Sequence, residues 1–211
     1  MQVTGSRHKQ NRNTRLSIRI PSGQSLHCAG TFPTEKHSCV EVIYCGPVVV
    51  PYPAEAEGVV CLEEMVATHG VCVGEGGKVI TTHPEGAVAY AIVVDSKDAE
   101  LIEQWRTRGL EVKITTTLEG VAMAAIVARR RDKNVVLEPD GGCVAVAYAE
   151  RHRLLYAETL PIAGDEEFVN LLALLNKDFD LRKAQFTLKG EEAKRYAKIV
   201  KRYFRRVECQ K

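Results

Sequence analysis

The sequence predicts a two-lobed α/β protein, each lobe a mixed sheet that starts with an antiparallel three-strand meander and is packed with helices. Three observations predict it. Apolar runs of strand length alternate with amphipathic helical stretches along the 211 residues. Each half reads as three meandering strands, then helix and strand elements that return to the sheet. The sharpest shift in composition, Arg129-Arg130-Arg131-Asp132-Lys133, falls between the halves. The expected organisation is a disordered basic segment over residues 1–14, a first lobe over 15–130 and a second over 131–211.

Residues 1–14 carry Arg7, His8, Lys9 and Arg12 among polar neighbours and have little apolar surface to bury. Leu16, Ile18 and Ile20 alternate with polar residues, the period of a half-buried strand over 16–20. Pro21-Ser22-Gly23-Gln24 is turn chemistry. A second strand is expected over 25–30 and a third over 39–45, with Val40, Val42 and Tyr44 on one face. Tight turns between them predict an antiparallel meander. Val48-Val49-Val50 lies between Pro47 and Pro51, which suits an edge strand. Residues 54–69 read as one helix or two short ones, marked by Leu62, Met65 and Val66, with Gly70 as the stop.

Gly74-Glu75-Gly76-Gly77-Lys78 reads as a glycine-rich turn between two strand pieces, the second over 78–82. It lacks the spacing of a phosphate-binding P-loop. Residues 87–94 are almost wholly apolar, as expected of a strand buried on both faces. Asp95-Ser96 offers short side-chain oxygens to cap a helix over 97–108, whose Leu101, Ile102 and Trp105 share a face. A strand over 110–115 follows. Thr116 and Glu119 then form a capping box for a helix over 118–128, rich in alanine and valine and so suited to close packing on a sheet.

The second half predicts strands over 134–138, 143–149 and 153–161, joined by turns at Asp140-Gly141-Gly142 and Arg151-His152. Val144, Val146 and Tyr148 face opposite to Cys143, Ala145 and Ala147. Asp165 is the expected cap of a helix over 166–176 with the apolar stripe Phe168, Leu171, Leu172 and Leu175. A strand over 184–188 leads to a final helix over 191–207. Its apolar stripe is Ala193, Tyr196, Ala197, Val200, Tyr203, Phe204 and Val207.

Composition bounds the function classes. Hydrophobic residues make up 45% and the net charge is +2, so overall charge does not argue for nucleic acid. No apolar run approaches the roughly 20 residues needed to span a bilayer, and the polar start is not a secretory leader. The seven cysteines are scattered, with no C-x-x-C pair, and suit reduced thiols in the cytoplasm. The six histidines sit apart, and no metal site is expected.

A family resemblance rests on three features. These are the order of elements; the apolar run over 87–94 with its Asp95-Ser96 cap; and the stretch from Cys143-Val144-Ala145-Val146 through Leu154-Leu155-Tyr156-Ala157-Glu158-Thr159 to Asp165-Glu166-Glu167-Phe168. They resemble an uncharacterised bacterial domain-of-unknown-function family with an actin-like ATPase, ribonuclease-H-like fold. The resemblance covers residues 15–207 and implies a fold, not a reaction. In such folds the first hairpin of each lobe cradles nucleotide phosphate. The resemblance thus implies two candidate phosphate loops: Ser22 and Gly23 in the first half, Asp140, Gly141 and Gly142 in the second. Glycine lets backbone N–H groups approach phosphate oxygens, and Asp140 is the candidate carboxylate for holding magnesium or orienting water. ATP with magnesium is the cofactor these loops would take; no other is expected. Yet Asp-Gly is also a common hairpin turn. The first turn has no acidic residue, and Pro21 removes a donor. The chain is also shorter than working members of the fold.

The final helix carries Lys194, Arg195, Lys198, Lys201, Arg202, Arg205 and Arg206 away from its apolar stripe. This is a candidate surface for an acidic partner, nucleic acid or anionic lipid. With Tyr196, Tyr203 and Phe204 on the stripe, base stacking is not expected. The sequence therefore favours a non-catalytic or nucleotide-sensing adaptor that binds a protein partner. A competing expectation is an ATPase or sugar-kinase-like enzyme using Asp140. A third is a nucleic-acid or anionic-surface binder acting through 191–207.

Overall fold

The computed structural model describes residues 14–46, 49–53, 61–68, 70, 72–82, 88–128 and 132–210. The basic start over 1–13, the segment 54–60 and the arginine run 129–131 at the expected lobe boundary lie outside the described residues. In chain order the elements are β1 (Thr14–Ile20), β2 (His37–Tyr44), β3 (Val49–Pro53), α1 (Leu62–Thr68), β4 (Gly77–Thr81), β5 (Val88–Asp95), α2 (Ser96–Thr107), β6 (Glu111–Thr116) and α3 (Thr117–Val127). They continue with β7 (Lys133–Asp140), β8 (Cys143–Glu150), β9 (Arg153–Pro161), α4 (Asp165–Phe179), β10 (Gln185–Leu188), α5 (Ala193–Tyr203) and β11 (Val207–Cys209).

The second half forms one five-stranded sheet in the order β11-β10-β7-β8-β9. β7, β8 and β9 are an antiparallel meander, and β10 and β11 run parallel to β7. Side-chain alternation decides what covers each face. Val135, Leu137, Val144, Val146 and Tyr148 pack under α4 and α5. Val136, Ala145, Ala147 and Ala149 meet α3 through Leu118, Val121, Ala122 and Ala125. Small residues on both sides of that contact let helix and sheet approach closely. α3 starts on the expected capping box: Thr116 accepts from Glu119 N–H, and the Glu119 carboxylate accepts from Thr116 N–H. Asp95 likewise accepts from Lys97 N–H at the start of α2.

The first half departs from the expected meander. β1, β2 and β6 form a three-stranded parallel sheet, and β3, β5 and β4 a separate antiparallel one. The expected strand over 25–30 is instead a single 3-10 turn, Leu26–Cys28. Asp98 explains it. Its carboxylate, 1% exposed, accepts from the N–H groups of Leu26 (2.7 Å) and His27 (3.0 Å). Those donors are satisfied by a side chain about seventy residues away, so they need no strand neighbour, and Leu26 fills the core beside Val40 and Ile102. The chain then crosses over, and β2 lies parallel to β1.

Three smaller expectations also change. Cys72–Gly74 is not a strand, and only β4 forms after the glycine-rich turn. Asp165 is the first residue of α4 and does not cap it; its carboxylate pairs with Arg195 at 2.7 Å. α5 ends at Tyr203, because Phe204 turns extended and starts the approach to β11. Tyr203 is therefore 58% exposed, Val207 belongs to a strand, and the buried stripe includes Ile199.

Candidate functional site

The two candidate loops come together, although from differently built sheets. Cys45 N–H donates to Ile20 O and holds the ends of β1 and β2 side by side. The turn 21–24 closes through Gln24 N–H to Pro21 O, with Gly23 at φ 75°. Next to it Gly46 takes φ 77°. A Cβ on Gly46 would lie 2.6 Å from Ser22 Oγ and 2.7 Å from Cys143 Sγ, so only glycine lets the two loops approach this closely. From the other side, Asp140 pairs with Cys143 across a two-residue turn, with Gly141 at φ 52° and Gly142 at φ 106°. Two left-handed residues are what a two-residue hairpin of primed type requires.

The polar groups at this junction already have partners. Asp140 Oδ2 accepts from Arg19 Nε (3.2 Å) and Nη2 (3.1 Å), while Arg19 Nη1 lies 2.8 Å from Glu138 Oε1. Gly141 N–H donates to Glu192 Oε2 at 3.3 Å. Burial works against the Arg19 charge, but the carboxylates of Glu138, which also accepts a hydrogen bond from it, and Asp140 outweigh it and raise its pKa. Burial, then a hydrogen bond to Asp140, pushes the Cys45 thiol far up. Burial also raises Cys143, against a lowering contact from Ser22. Both thiols thus stay protonated near neutral pH and are poor nucleophiles.

A cleft of about 560 Å³ opens beside the junction. Ser22, Gly46, Gly142 and Cys143 of the junction line it, together with Pro51, Tyr90 and Leu118 and with Leu154–Thr159 and Pro161 of β9. Of the expected loop residues, Ser22 and Gly142 line the cleft. Asp140, Gly141 and Gly23 do not, and Asp140 is turned to Arg19. Among the described residues no group of three His, Cys, Asp or Glu side chains is placed to hold a metal ion.

All seven cations of the final basic stretch are exposed, but they do not share one helix face. Arg205 and Arg206 lie beyond α5, and Arg206 donates to Lys183 O. Arg195 pairs with Asp165 and Glu192 and stacks over Tyr196 at 4.9 Å. No ion pair among the described residues engages Lys194, Lys198, Lys201 or Arg202. The exposed Tyr203 among them reverses the expectation that no aromatic is interleaved.

Sequence reasoning missed Arg19, Glu138, Glu192 and Gly46. Arg19 occupies a polar position of an alternating strand and reads as a solvated charge. Glu138 carried one signal, a carboxylate in a run of apolar strand residues. Gly46 follows Cys45 as an ordinary turn glycine.

Neither a family model nor a curated protein matches the sequence. Solved structures do match. A Bacteroides thetaiotaomicron protein of unknown function with an actin-like ATPase fold aligns at TM-score 0.65 and 15% identity, over 82% of this chain and 69% of that one. The PilM-PilN type IV pilus biogenesis complex aligns at TM-score 0.50 and 10% identity, over 81% and 69%. The chain has an actin-like ATPase fold. No helix among the described residues is long and apolar enough to cross a membrane.

Proposed function

We propose that this chain is a non-catalytic adaptor built on the actin-like fold, which binds a protein partner in the cytoplasm. The carrying observation is the Arg19–Asp140 pair. A carboxylate that holds magnesium must turn its lone pairs toward the metal or its waters; the Asp140 carboxylate turns them to a guanidinium. Two further facts support the reading. Gly141 N–H, a donor a phosphate would use, is taken by Glu192. The only charged side chain among the described residues lining the cleft is Glu158, an anion, so none of these residues offers a triphosphate a cation. PilM, at the lower of the two structural likenesses, is a protein seen in complex with another, PilN. Seven free cysteines fit a reducing compartment. The unpaired cations of α5 offer a second surface to an acidic partner.

Calorimetry with ATP and magnesium tests the proposal. The expected result is no saturable heat and no phosphate release; magnesium-dependent binding with turnover overturns it. One observation favours a second reading, a nucleotide sensor: Ser22, Gly46 and Gly142 place a small-residue end on a cleft of ligand size. It predicts saturable ATP binding without turnover in the same titration.

A further inference from the structure

The cleft has an unusual wall. In β9, Leu154 and Ala157 pack toward α3, and Tyr156 packs toward α4 and α5. By register Thr159 lies opposite Ala145, on the α3 face, and Glu158 opposite Val146, on the other. Yet all of Leu154–Thr159 lines the cleft. A surface touched by residues of both faces runs along the strand's edge, where backbone N–H and C=O groups point. β9 is the terminal strand of its sheet, and among the described residues it pairs only with β8. Proteins usually blunt such an edge, because it is a template for another strand. Here the register shift at Tyr148/Ala149 leaves Leu155 bulged and 43% exposed at one end, and proline appears only at Pro161. β3 also lines the cleft, through Pro51, which cannot donate. β9 is the wall that can accept a strand.

We propose that the open edge of β9 takes an extended segment of the protein partner as a sixth strand of the five-stranded sheet, with a basic side chain of that segment against Glu158. This rests on the adaptor reading and names the partner's chemistry. Main-chain hydrogen bonds give such strand addition its affinity, and side-chain contacts give its specificity. Leu154–Thr159 spans about 20 Å, room for roughly six extended residues. The occupant's charge follows from the lining: Glu158, which accepts from Tyr156 Oη at 2.6 Å, has no cation beside it among the described residues of the cleft. Thr159 lines the same cleft, and its buried hydroxyl has no hydrogen-bond partner among the described residues.

The test selects phage-displayed random heptapeptides on the immobilised full-length chain, then titrates the synthetic peptides by fluorescence anisotropy. Selected peptides are expected to be β-branched and to carry Lys or Arg. Their binding is expected to slow amide exchange across Leu154–Thr159 by about tenfold or more, and to be lost when alternate peptide amides are N-methylated. Glu158→Lys is expected to weaken them about fivefold, and Leu155→Glu serves if that variant does not fold. Lys198→Glu/Arg202→Glu should bind them unchanged. Failure to select any peptide, protection that maps away from β9, or indifference to N-methylation overturns the proposal. Peptides that bind α5 instead overturn it and leave the adaptor reading standing. ATP turnover in the calorimeter is what removes the adaptor reading itself.

Discussion

Replacing Arg19 with methionine tests the arrangement at the junction of the two loops. Arg19 is the cation between Glu138 and Asp140, whose side chains are 7% and 20% exposed. Removing one partner of a buried pair typically costs about 3–5 kcal/mol, because a charge is left uncompensated. Arg19 itself is 39% exposed, so water screens part of the loss. We expect about 2 kcal/mol, and for a chain of this size about 4–8 °C in melting temperature. Thermal melts and urea titrations followed by circular dichroism measure it. The double variant Arg19→Met/Glu138→Gln separates charge from packing. Methionine keeps much of the apolar stem and glutamine keeps the shape, so the double variant should recover more than half of the loss. A single variant that melts with the parent, or a double variant no better than the single, would refute the argument that Arg19 is held there to neutralise carboxylates.

Four further outcomes follow from particular contacts. Gly46→Ala should lose about 3 kcal/mol in urea titration, since φ 77° disfavours a side chain and the new Cβ meets Ser22 and Cys143 under 3 Å. Asp98→Ala should lose about 3 kcal/mol by leaving the buried Leu26 N–H and the half-buried His27 N–H unpaired, and Asp98→Asn less, because an amide oxygen still accepts. In native-state alkylation with iodoacetamide at pH 8, read by mass spectrometry, Cys28, Cys61, Cys72 and Cys209 should react before Cys45 and Cys143. The latter two are buried with raised pKa, and their thiolate appears only as pH climbs above the ordinary thiol range. Arg151→Asn should gain about 0.5–1 kcal/mol, because Arg151 and His152 both hold positive φ at a hairpin tip that asparagine tolerates better.

Where local chemistry decides the structure, the residues declared it. Thr116 and Glu119 read as a capping box and form one, Asp95 caps α2, and the alternation of valine and alanine over 143–149 sorts the faces of β8 between two helix layers. Where a distant side chain decides, they did not. Ser25–Gly30 has the composition of a strand, and what bends it is Asp98, on a helix far along the chain. Helical periodicity runs on past Tyr203 into 204–207, yet Phe204 goes extended against Phe186, 4.2 Å between ring centroids, and pulls the chain into a strand beside β10. The candidate site divides in the same way. Glycines marked both loops, because φ is a local property. Which loop the other would face, and which cation would meet Asp140, depended on packing between sheets that no spacing reveals.

The same packing supplies the strongest electrostatic reason to look past the phosphate loops for this chain's ligand. Around the Asp140 turn, the ion pairs among the described residues set four carboxylates, Glu138, Asp140, Glu192 and Asp165, against two guanidinia, Arg19 and Arg195. A unit charge some 8 Å away feels about 2 kcal/mol from each unpaired charge at the effective dielectric of a protein surface. That field opposes an anion, weakened by solvent because Arg195 and Asp165 are more than half exposed, and Gly141 N–H already has Glu192 as its acceptor. The sign favours the opposite ligand. A segment carrying a cation gains from the same field, and the turn that carries Asp140 reaches the cleft through Gly142 and Cys143, beside a strand, β9, that among the described residues pairs only with β8.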